Sequence, residues 1–166
     1  MSKAHVITVS DRASAKKMPD DSGPALVRIL RQGHFEVTGP DVVPDNQQKI
    51  ADALVAAVAL GADVVVTTGG TGLGPRDVTP QATATVIDFD VPGIAEAMRS
   101  AGTASTPMAA LSRAIAGVSG RTLIINVPGS VKGATESLEA VMPILGHAVR
   151  LLEKSGGRSG TWKRPT

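Results

Sequence analysis

Four glycines lie close together in the stretch TTGGTGLGPRDVTP, residues 67–80, directly after the apolar run DVVV. With no side chains at Gly69, Gly70, Gly72 and Gly74, the amide N–H groups of a strand-to-helix turn can surround an anion, and the next helix adds the positive end of its dipole. Pro75 stands where a Walker loop needs lysine and where the dinucleotide fingerprint needs its third glycine. Glycine spacing alone therefore leaves two interpretations open, a phosphate cradle and a flexible turn.

A second loop favours the phosphate cradle. The stretch PGSVKG, residues 128–133, also follows an apolar run and also supplies two glycines. It adds the hydroxyl of Ser130 and the ammonium of Lys132, both of which can donate hydrogen bonds to phosphate oxygens. Two such loops indicate two phosphate-bearing groups.

Carboxylates accompany these loops. A carboxylate beside a phosphate is repulsive unless a cation lies between them, and Mg²⁺ is commonly held by one or two carboxylates together with substrate phosphates. Asp45 and Asp77 could supply them if the sheet brings their loops together. Asp45 is also three residues before Gln48, the spacing of a capping box, so capping and catalysis are equally supported. Thr79 is predicted to cap the helix after Asp77, which favours a functional role for that acid.

Other polar residues follow the first apolar run or lie elsewhere. Asp11, beside Ser10, fits a metal or substrate ligand and a turn residue equally well. Arg12, Arg76 and Arg113 could each neutralise phosphate, although most arginines lie on the surface. No pair of the three histidines has metal-ligand spacing.

Short β-branched runs alternate with longer segments of helical period, the pattern of a parallel sheet covered by helices. We predict strands at 5–10, within 34–43, at 63–68 and at 121–127. The predicted helices are 22–33 with Ser22 as cap, 45–61, one from Thr79 with Pro80 at its first position, 93–101, 107–116, and 134–153 with a bend at Pro143. Ligands of such sheets bind beyond the carboxyl ends of the strands, where the polar loops above fall.

Composition limits the classes of function. A length of 166 residues fits one domain, assigned to 1–153, followed by a flexible basic tail at 154–166. The chain has two Phe, one Trp and no Tyr, so the core is aliphatic and no nucleic-acid partner is expected. Without cysteine there is no disulfide, thiolate ligand or thiol nucleophile. With no signal peptide and no apolar run of membrane-spanning length, we expect a cytoplasmic protein with no membrane partner.

Four motifs resemble one known family. They are ITVSDRAS (7–14), the glycine loop TTGGTGLGPRDVTPQAT (67–83), LSRAIAGV (111–118) and TLIINVPGSVKGATESLEAVMPILGHAV (122–149). Together they closely resemble the MogA/MoaB family of molybdenum-cofactor biosynthesis proteins, which are relatives of the G domain of gephyrin. The resemblance implies a three-layer α/β/α domain with a mostly parallel central sheet, assembly as a homotrimer and binding of molybdopterin.

The resemblance also implies an activity. Active members are molybdopterin adenylyltransferases, which use Mg²⁺-ATP to attach AMP to the terminal phosphate of molybdopterin with release of pyrophosphate, ahead of a downstream molybdenum insertase. The MoaB branch also includes proteins that resemble the enzymes without adenylating, so the alternative is a molybdopterin-binding scaffold. Those proteins tend to vary at the two acid positions, and both acids are retained here.

The family's functional positions map onto named residues of this chain. Its two acids match Asp45 and Asp77, which the resemblance assigns to catalysis through magnesium and phosphate positioning. Its pterin-phosphate and nucleotide loops match Thr68, Gly69, Gly70, Thr71 and Gly72, and Pro128, Gly129, Ser130 and Lys132, with Ser10 and Asp11 at the rim. Which loop holds which substrate is left open. Val131 replaces a proline that is common in the family's PGSPKG form.

Overall fold

A six-stranded sheet organises the chain in the computed structural model, which describes residues 1–155. In chain order the elements are β1 (Lys3–Val9), α1 (Asp11–Ser14), α2 (Ser22–Gln32), β2 (Glu36–Val43), α3 (Gln47–Ala59), β3 (Val64–Thr68), α4 (Thr79–Val86), β4 (Phe89–Asp90), α5 (Pro92–Ser105), a 3-10 helix (Pro107–Leu111), β5 (Ala116–Ser119), β6 (Thr122–Val127) and α6 (Val131–Ser155). The strand order is β2-β1-β3-β6-β5-β4. The first four of these strands run parallel, whereas β5 is antiparallel to β6 and β4 is antiparallel to β5.

Helices cover both faces of this sheet. The central strands β3 and β6 are buried throughout, as expected for β-branched runs in a parallel sheet. Because side chains alternate along a strand, Val64 and Val66 pack with α2, α5 and α6, while Val65 packs with α3 and α4. The three-layer α/β/α sandwich predicted from the sequence is therefore confirmed.

The topology gathers four loops at one edge. Strands β1, β2, β3 and β6 are parallel, so the residues that follow them all emerge at the same end of the sheet. The chain leaves β1 to form its neighbour β2 and returns to form β3 on the other side of β1, so the direction of winding reverses between β1 and β3. Such a reversal opens a crevice between the two diverging loops.

One predicted helix is wrong and two strands escaped prediction. The segment 107–116 is not an α-helix but a short 3-10 helix followed by the start of β5. Strands β5 and β4 are four and two residues long, too short to show an alternating pattern. Gly117 packs so closely against β4 that a Cβ there would lie 2.7 Å from the Phe89 carbonyl oxygen. Gly120, at φ +59°, turns the chain from β5 into β6.

Two predicted helix caps are also wrong, and of the two roles left open for Asp45 the helix cap is excluded. Helix α3 is capped by Asn46, whose side chain accepts from the Lys49 N–H, so the capping box from Asp45 to Gln48 does not form. Ser22 and Thr79 are the first residues of their helices rather than caps. Their hydroxyl groups bond the glycine-loop region instead, Ser22 with the Thr68 hydroxyl and Thr79 with the Gly69 carbonyl oxygen. These hydroxyls tie both helices to the end of β3.

The carboxyl-terminal helix α6 continues to Ser155, and Pro143 lies inside it. The predicted basic tail at 154–166 otherwise falls outside the described residues. Among the helices of residues 1–155, none combines the length and the apolar character needed to cross a membrane.

Candidate active site

Two cavities open beside the glycine loop, at the edge where the parallel strands end. The first, of about 380 Å³, is here called the acidic cleft because Asp20, Asp21, Asp45 and Asp77 contribute to its lining. The second, of about 480 Å³, is here called the apolar cavity because Met98, Met108 and Leu111 line it. Both cavities are bordered by Gly70, Asp77, Gly129 and Ser130. They are neighbours separated by the two glycine-containing loops.

The structure brings the predicted site residues together with one exception. The acidic cleft is lined by Ser10, Asp45, Thr68 and Gly69. The apolar cavity is lined by Thr71, Gly72, Pro128 and Lys132. Both are lined by Gly70, Asp77, Gly129 and Ser130. Asp11 lines neither cavity. It forms hydrogen bonds with Asp45 instead.

The two loops meet backbone to backbone. Gly69 and Gly70 have φ angles of +99° and +68°, a conformation that glycine adopts without strain. A Cβ on Gly69 would lie 2.2 Å from the Val9 carbonyl oxygen, and a Cβ on Gly129 would lie 3.2 Å from the Gly69 Cα. Only residues without side chains allow the ends of β1, β3 and β6 to approach this closely.

Both loops present free amide groups. Within residues 1–155, the N–H groups of Gly70, Thr71 and Gly72 donate no hydrogen bond, and neither do those of Gly129, Ser130 and Lys132. The second set lies at the start of the 25-residue helix α6, where the helix dipole is positive. Free amides at two adjoining loops are what two bound phosphate groups require.

Asp45 is held by a reciprocal pair of hydrogen bonds. The Asp11 N–H donates to Asp45 Oδ2 at 2.9 Å, and the Asp45 N–H donates to Asp11 Oδ1 at 3.0 Å. Burial raises the pKa of the Asp45 carboxyl above its usual value, and the charges of Asp11 and Asp77 also raise it, partly offset by the hydrogen bond from Asp11. Its Oδ1 atom faces Gly70, 3.3 Å from the position of a Cβ there.

Arg76 completes this arrangement from the outside. Its Nε donates to Asp11 Oδ2 at 2.6 Å, and its Nη2 donates to the Asp45 carbonyl oxygen at 3.3 Å. The hydrogen bond from Arg76 holds the pKa of Asp11 below its usual value. Asp11 is thereby kept ionised and bound to Arg76, which suits it to orient Asp45.

Asp77 has a local role that the sequence did not indicate. Its Oδ2 accepts from the Gly74 N–H at 2.9 Å, which closes the glycine loop on itself. The prediction that Asp77 lacked a structural role, because Thr79 capped the next helix, is therefore wrong in its premise. The other carboxylate oxygen of Asp77 accepts no hydrogen bond from the described residues, and the charge of Asp77 acts on Asp45.

Several lining residues escaped the sequence analysis. Asp20 accepts from the Thr8 hydroxyl at 2.7 Å and from the Gly23 N–H at 3.0 Å, which fixes one wall of the acidic cleft. Met98 and Arg99 line the apolar cavity from α5. Asp20 lies in an irregular stretch and Met98 in an ordinary amphipathic pattern, so neither has a sequence signal that distinguishes it from a turn or core residue.

Comparison with known proteins bears on what these cavities hold. A family model described as "Probable molybdopterin binding domain" matches residues 5–147. The chain belongs to this family. The matched range includes every loop at the cavity edge, so the resemblance read from the four sequence motifs is confirmed.

Members of the molybdopterin-binding family with known names or structures are close relatives. The molybdopterin adenylyltransferase of Helicobacter pylori strain J99 is 39% identical over 155 residues, which cover 89% of this chain and 85% of that protein. The crystal structure of the molybdopterin biosynthesis enzyme MoaB from Thermus thermophilus matches with a TM-score of 0.87 and 48% identity, covering 95% of this chain and 98% of that one.

Other relatives are longer proteins. A molybdenum cofactor biosynthesis bifunctional protein of Synechococcus elongatus is 39% identical over 160 residues, which cover 96% of this chain and 50% of that protein. The match to gephyrin of Dictyostelium discoideum covers 22% of that protein. This chain therefore spans half or less of these relatives, and corresponds to one of their parts.

Proposed function

We propose that this protein is a molybdopterin adenylyltransferase, which transfers AMP from Mg²⁺-ATP to the terminal phosphate of molybdopterin and releases pyrophosphate. The observation that carries the proposal is the pair of adjoining cavities whose shared border presents free amides and Asp77. Two substrates that each carry phosphate must meet at one point in this reaction. The relatives named molybdopterin adenylyltransferase support the same conclusion.

The reaction needs alignment and charge neutralisation more than a reactive side chain. An oxygen of the molybdopterin phosphate attacks the α-phosphorus of ATP, the bond from that phosphorus to the bridging oxygen breaks, and pyrophosphate leaves with the electron pair. No covalent intermediate with the protein is required. Catalysis of such transfers rests on positioning and on donors aimed at the developing charge. Free amides at the shared border can supply both.

The charges of the acidic cleft fit a divalent cation. The described residues that line it include four aspartates and no lysine or arginine. A phosphate chain would be repelled there unless a cation came with it. Asp45 and Asp77 each keep one carboxylate oxygen that accepts no hydrogen bond from residues 1–155. Residues 1–155 contain no group of three or more protein ligands arranged for a metal, which agrees with Mg²⁺ held by one or two carboxylates and substrate phosphates.

In this proposal Asp45 and Asp77 hold Mg²⁺, whose charge would stabilise the transferring and departing phosphates. Asp11 and Arg76 keep the Asp45 side chain in position. Gly70, Gly72 and Gly129 bind phosphate oxygens through their amides, and Ser130 and Lys132 add a hydroxyl and an ammonium. Ser10 and Thr68 complete the rim of the acidic cleft.

The test compares the protein with Asp77→Asn in AMP transfer. Purified protein is given molybdopterin and Mg²⁺-ATP, and pyrophosphate and adenylated molybdopterin are quantified. Asparagine keeps an oxygen that can accept from the Gly74 N–H, so the loop is retained while the charge is lost. We expect a loss of about 100-fold or more, since removal of one group that stabilises transition-state charge commonly costs that much. Asp90→Asn, at an exposed position on β4, is the matched control and keeps full activity.

The scaffold alternative makes a different prediction. If the unaltered protein releases no more pyrophosphate than Asp77→Asn, yet both retain molybdopterin on gel filtration, the protein is a molybdopterin carrier and the enzymatic proposal fails.

We further propose the remaining features that the family likeness implies. The protein would act as a homotrimer in the cytoplasm and pass adenylated molybdopterin to a molybdenum insertase. Fusion of the matching region to further sequence in the bifunctional relatives supports a partner of this kind. Sedimentation analysis tests the trimer, which would give about three times the 16.9 kDa of one chain.

A further inference from the structure

We propose that Arg113 is a positioning residue, which orients the amides of the glycine loop without touching the substrate. The inference rests on the proposed function only in that the loop binds a phosphate group. Arg113 was considered above as a phosphate ligand. In the structure its guanidinium bonds loop carbonyl oxygens and lines neither of the two cavities beside the loop.

Three hydrogen bonds join Arg113 to the loop. Its backbone N–H donates to the Thr71 carbonyl oxygen at 2.9 Å. Its Nε donates to the Gly72 carbonyl oxygen at 2.7 Å, and its Nη2 donates to the carbonyl oxygen of Asp77. The guanidinium therefore bridges two points of the loop, Gly72 and Asp77.

Peptide planarity converts this contact into an orientation of the amides. In a trans peptide the C=O of one residue and the N–H of the next point in opposite directions. When Arg113 binds the carbonyls of Thr71, Gly72 and Asp77, the N–H groups of the following residues point away from it. Those are the amides of Gly72, Leu73 and Val78, none of which donates a hydrogen bond within residues 1–155.

The backbone on both sides of Arg113 is in turn held by Arg99. Arg99 of α5 donates through Nη1 to the carbonyl oxygens of Ser112 and Ala114, at 3.2 and 2.8 Å. These are the two residues that flank Arg113. Ser112, Ala114 and Arg99 line the apolar cavity, whereas Arg113 lines neither cavity. A chain of contacts thus runs from α5 through Arg113 to the glycine loop.

A planar guanidinium suits this position better than an ammonium. Two acceptors at different ends of the loop require donors held in fixed directions, which arginine supplies and lysine, with a point charge on a flexible stem, does not. The positive charge behind the loop also raises the electrostatic potential at the amides in front of it.

The test measures anion binding apart from catalysis. Inorganic pyrophosphate is titrated in the presence of Mg²⁺ into ¹⁵N-labelled protein, and the chemical shifts of the Gly70 and Gly72 amides are followed. We expect saturable shifts in the unaltered protein, an apparent Kd about 30-fold to 100-fold higher in Arg113→Ala, and partial recovery of binding in Arg113→Ala on addition of millimolar guanidinium. Arg113→Lys should bind at least 10-fold more weakly than the unaltered protein. Arg121→Ala, at the exposed turn between β5 and β6, is the control and should match the unaltered protein.

The outcomes separate this inference from the proposed function. If the protein transfers no AMP but its pyrophosphate-induced shifts depend on Arg113 and are rescued by guanidinium, the positioning role stands and the adenylyltransferase proposal fails. If Arg113→Ala and Arg113→Lys bind pyrophosphate as tightly as the unaltered protein, or if the unaltered protein shows no shift at Gly70 or Gly72, the inference is overturned. Should Arg113→Ala not fold, Arg113→Lys alone decides.

Discussion

Replacement of Gly69 by alanine should destabilise the protein more than the same change at Gly61, where φ is also positive. At φ +99° an alanine is strained by about 1–3 kcal/mol. Its Cβ would also lie 2.2 Å from the Val9 carbonyl oxygen, a backbone atom at the end of β1 that cannot rotate away. Overpacking of this kind typically costs about 1–3 kcal/mol. Strain and clash together lower the free energy of unfolding by about 2–6 kcal/mol. Alanine also restricts the unfolded chain, which reduces this loss by up to about 1 kcal/mol.

Two other glycines separate the contributions. Gly61, at φ +83°, has no atom of the described residues within 4 Å of a Cβ, so Gly61→Ala measures the backbone strain alone. Gly93, near the start of α5, has neither a positive φ nor a neighbour within 4 Å, and Gly93→Ala should be neutral or stabilise by up to about 1 kcal/mol. Of these three substitutions, Gly69→Ala alone combines backbone strain with a clash.

The assay is urea unfolding of the three variants, with the free energy of unfolding taken from the midpoint and slope. Gly69→Ala is expected to lose at least about 1 kcal/mol more than Gly61→Ala, which is the lower limit of the overpacking cost. Because Gly129 lies against the Gly69 Cα, the same substitution should also separate the two loops and abolish AMP transfer. A Gly69→Ala loss no larger than that of Gly61→Ala would refute the close approach of β1 and β3 at this point.

Two further predictions concern polar groups. Asp45→Asn should raise the Tm in chelator-treated protein by up to about 2–4 °C while it abolishes AMP transfer. We take about 1 kcal/mol for a half-buried carboxylate that also lies near the charges of Asp11 and Asp77. The folded-state pKa of Asp45 is raised, so its carboxylate destabilises the fold at pH values above that pKa. The difference in Tm between Asp45→Asn and the unaltered protein should therefore shrink as the pH falls through that pKa. A difference that stays constant with pH would show that the charge of Asp45 is not its cause. Asn126→Ala should lower the free energy of unfolding by about 2–6 kcal/mol. The buried Asn126 amide donates to the Thr67 and Thr83 hydroxyls and accepts from the Ile115 N–H, and each of the two buried hydroxyls left unsatisfied costs about 1–3 kcal/mol. Urea unfolding measures this loss, and Asn46→Asp, an exposed change that keeps a capping oxygen, is the control. A loss below about 0.5 kcal/mol, the low end of a single net hydrogen bond, would show that Asn126 does not form these hydrogen bonds.

The sequence predicted the parallel part of the sheet because its strands carry strong local signals. Buried runs such as residues 64–68 and 122–127 are β-branched and are bounded by glycine or proline, so their type and direction follow from composition. β4 and β5 have no such signal. They exist because β5 pairs with the edge of β6 and Gly117 lets β4 pack closely against β5, which is a tertiary effect.

The sequence predicts which loops come together at the candidate site, but not the hydrogen-bond partners of their polar groups. Strand ends locate the loops, so the clustering of Asp45, Asp77 and the two glycine-containing loops follows from topology. The partner of each polar group does not follow from spacing. Asn46, one residue after the expected cap, caps α3, and this shift leaves Asp45 with a carboxylate oxygen directed at Gly70. A one-residue error in a cap changes the inferred role of an acid.

The arginines show the same limit and suggest how phosphate would be neutralised in the proposed reaction. From the sequence, Arg76 and Arg113 could each neutralise phosphate or lie on the surface. In the structure both are occupied by protein acceptors, Arg76 by Asp11 and Arg113 by loop carbonyls. Lys132 and Arg99 are the cationic side chains among the described residues that line the apolar cavity, and Arg99 also bonds backbone carbonyls. In the proposed reaction, most of the neutralisation would therefore come from backbone amides and a divalent cation, which act at fixed positions and lose no side-chain freedom on binding. In such a site the arginines act on the substrate through the loops they hold.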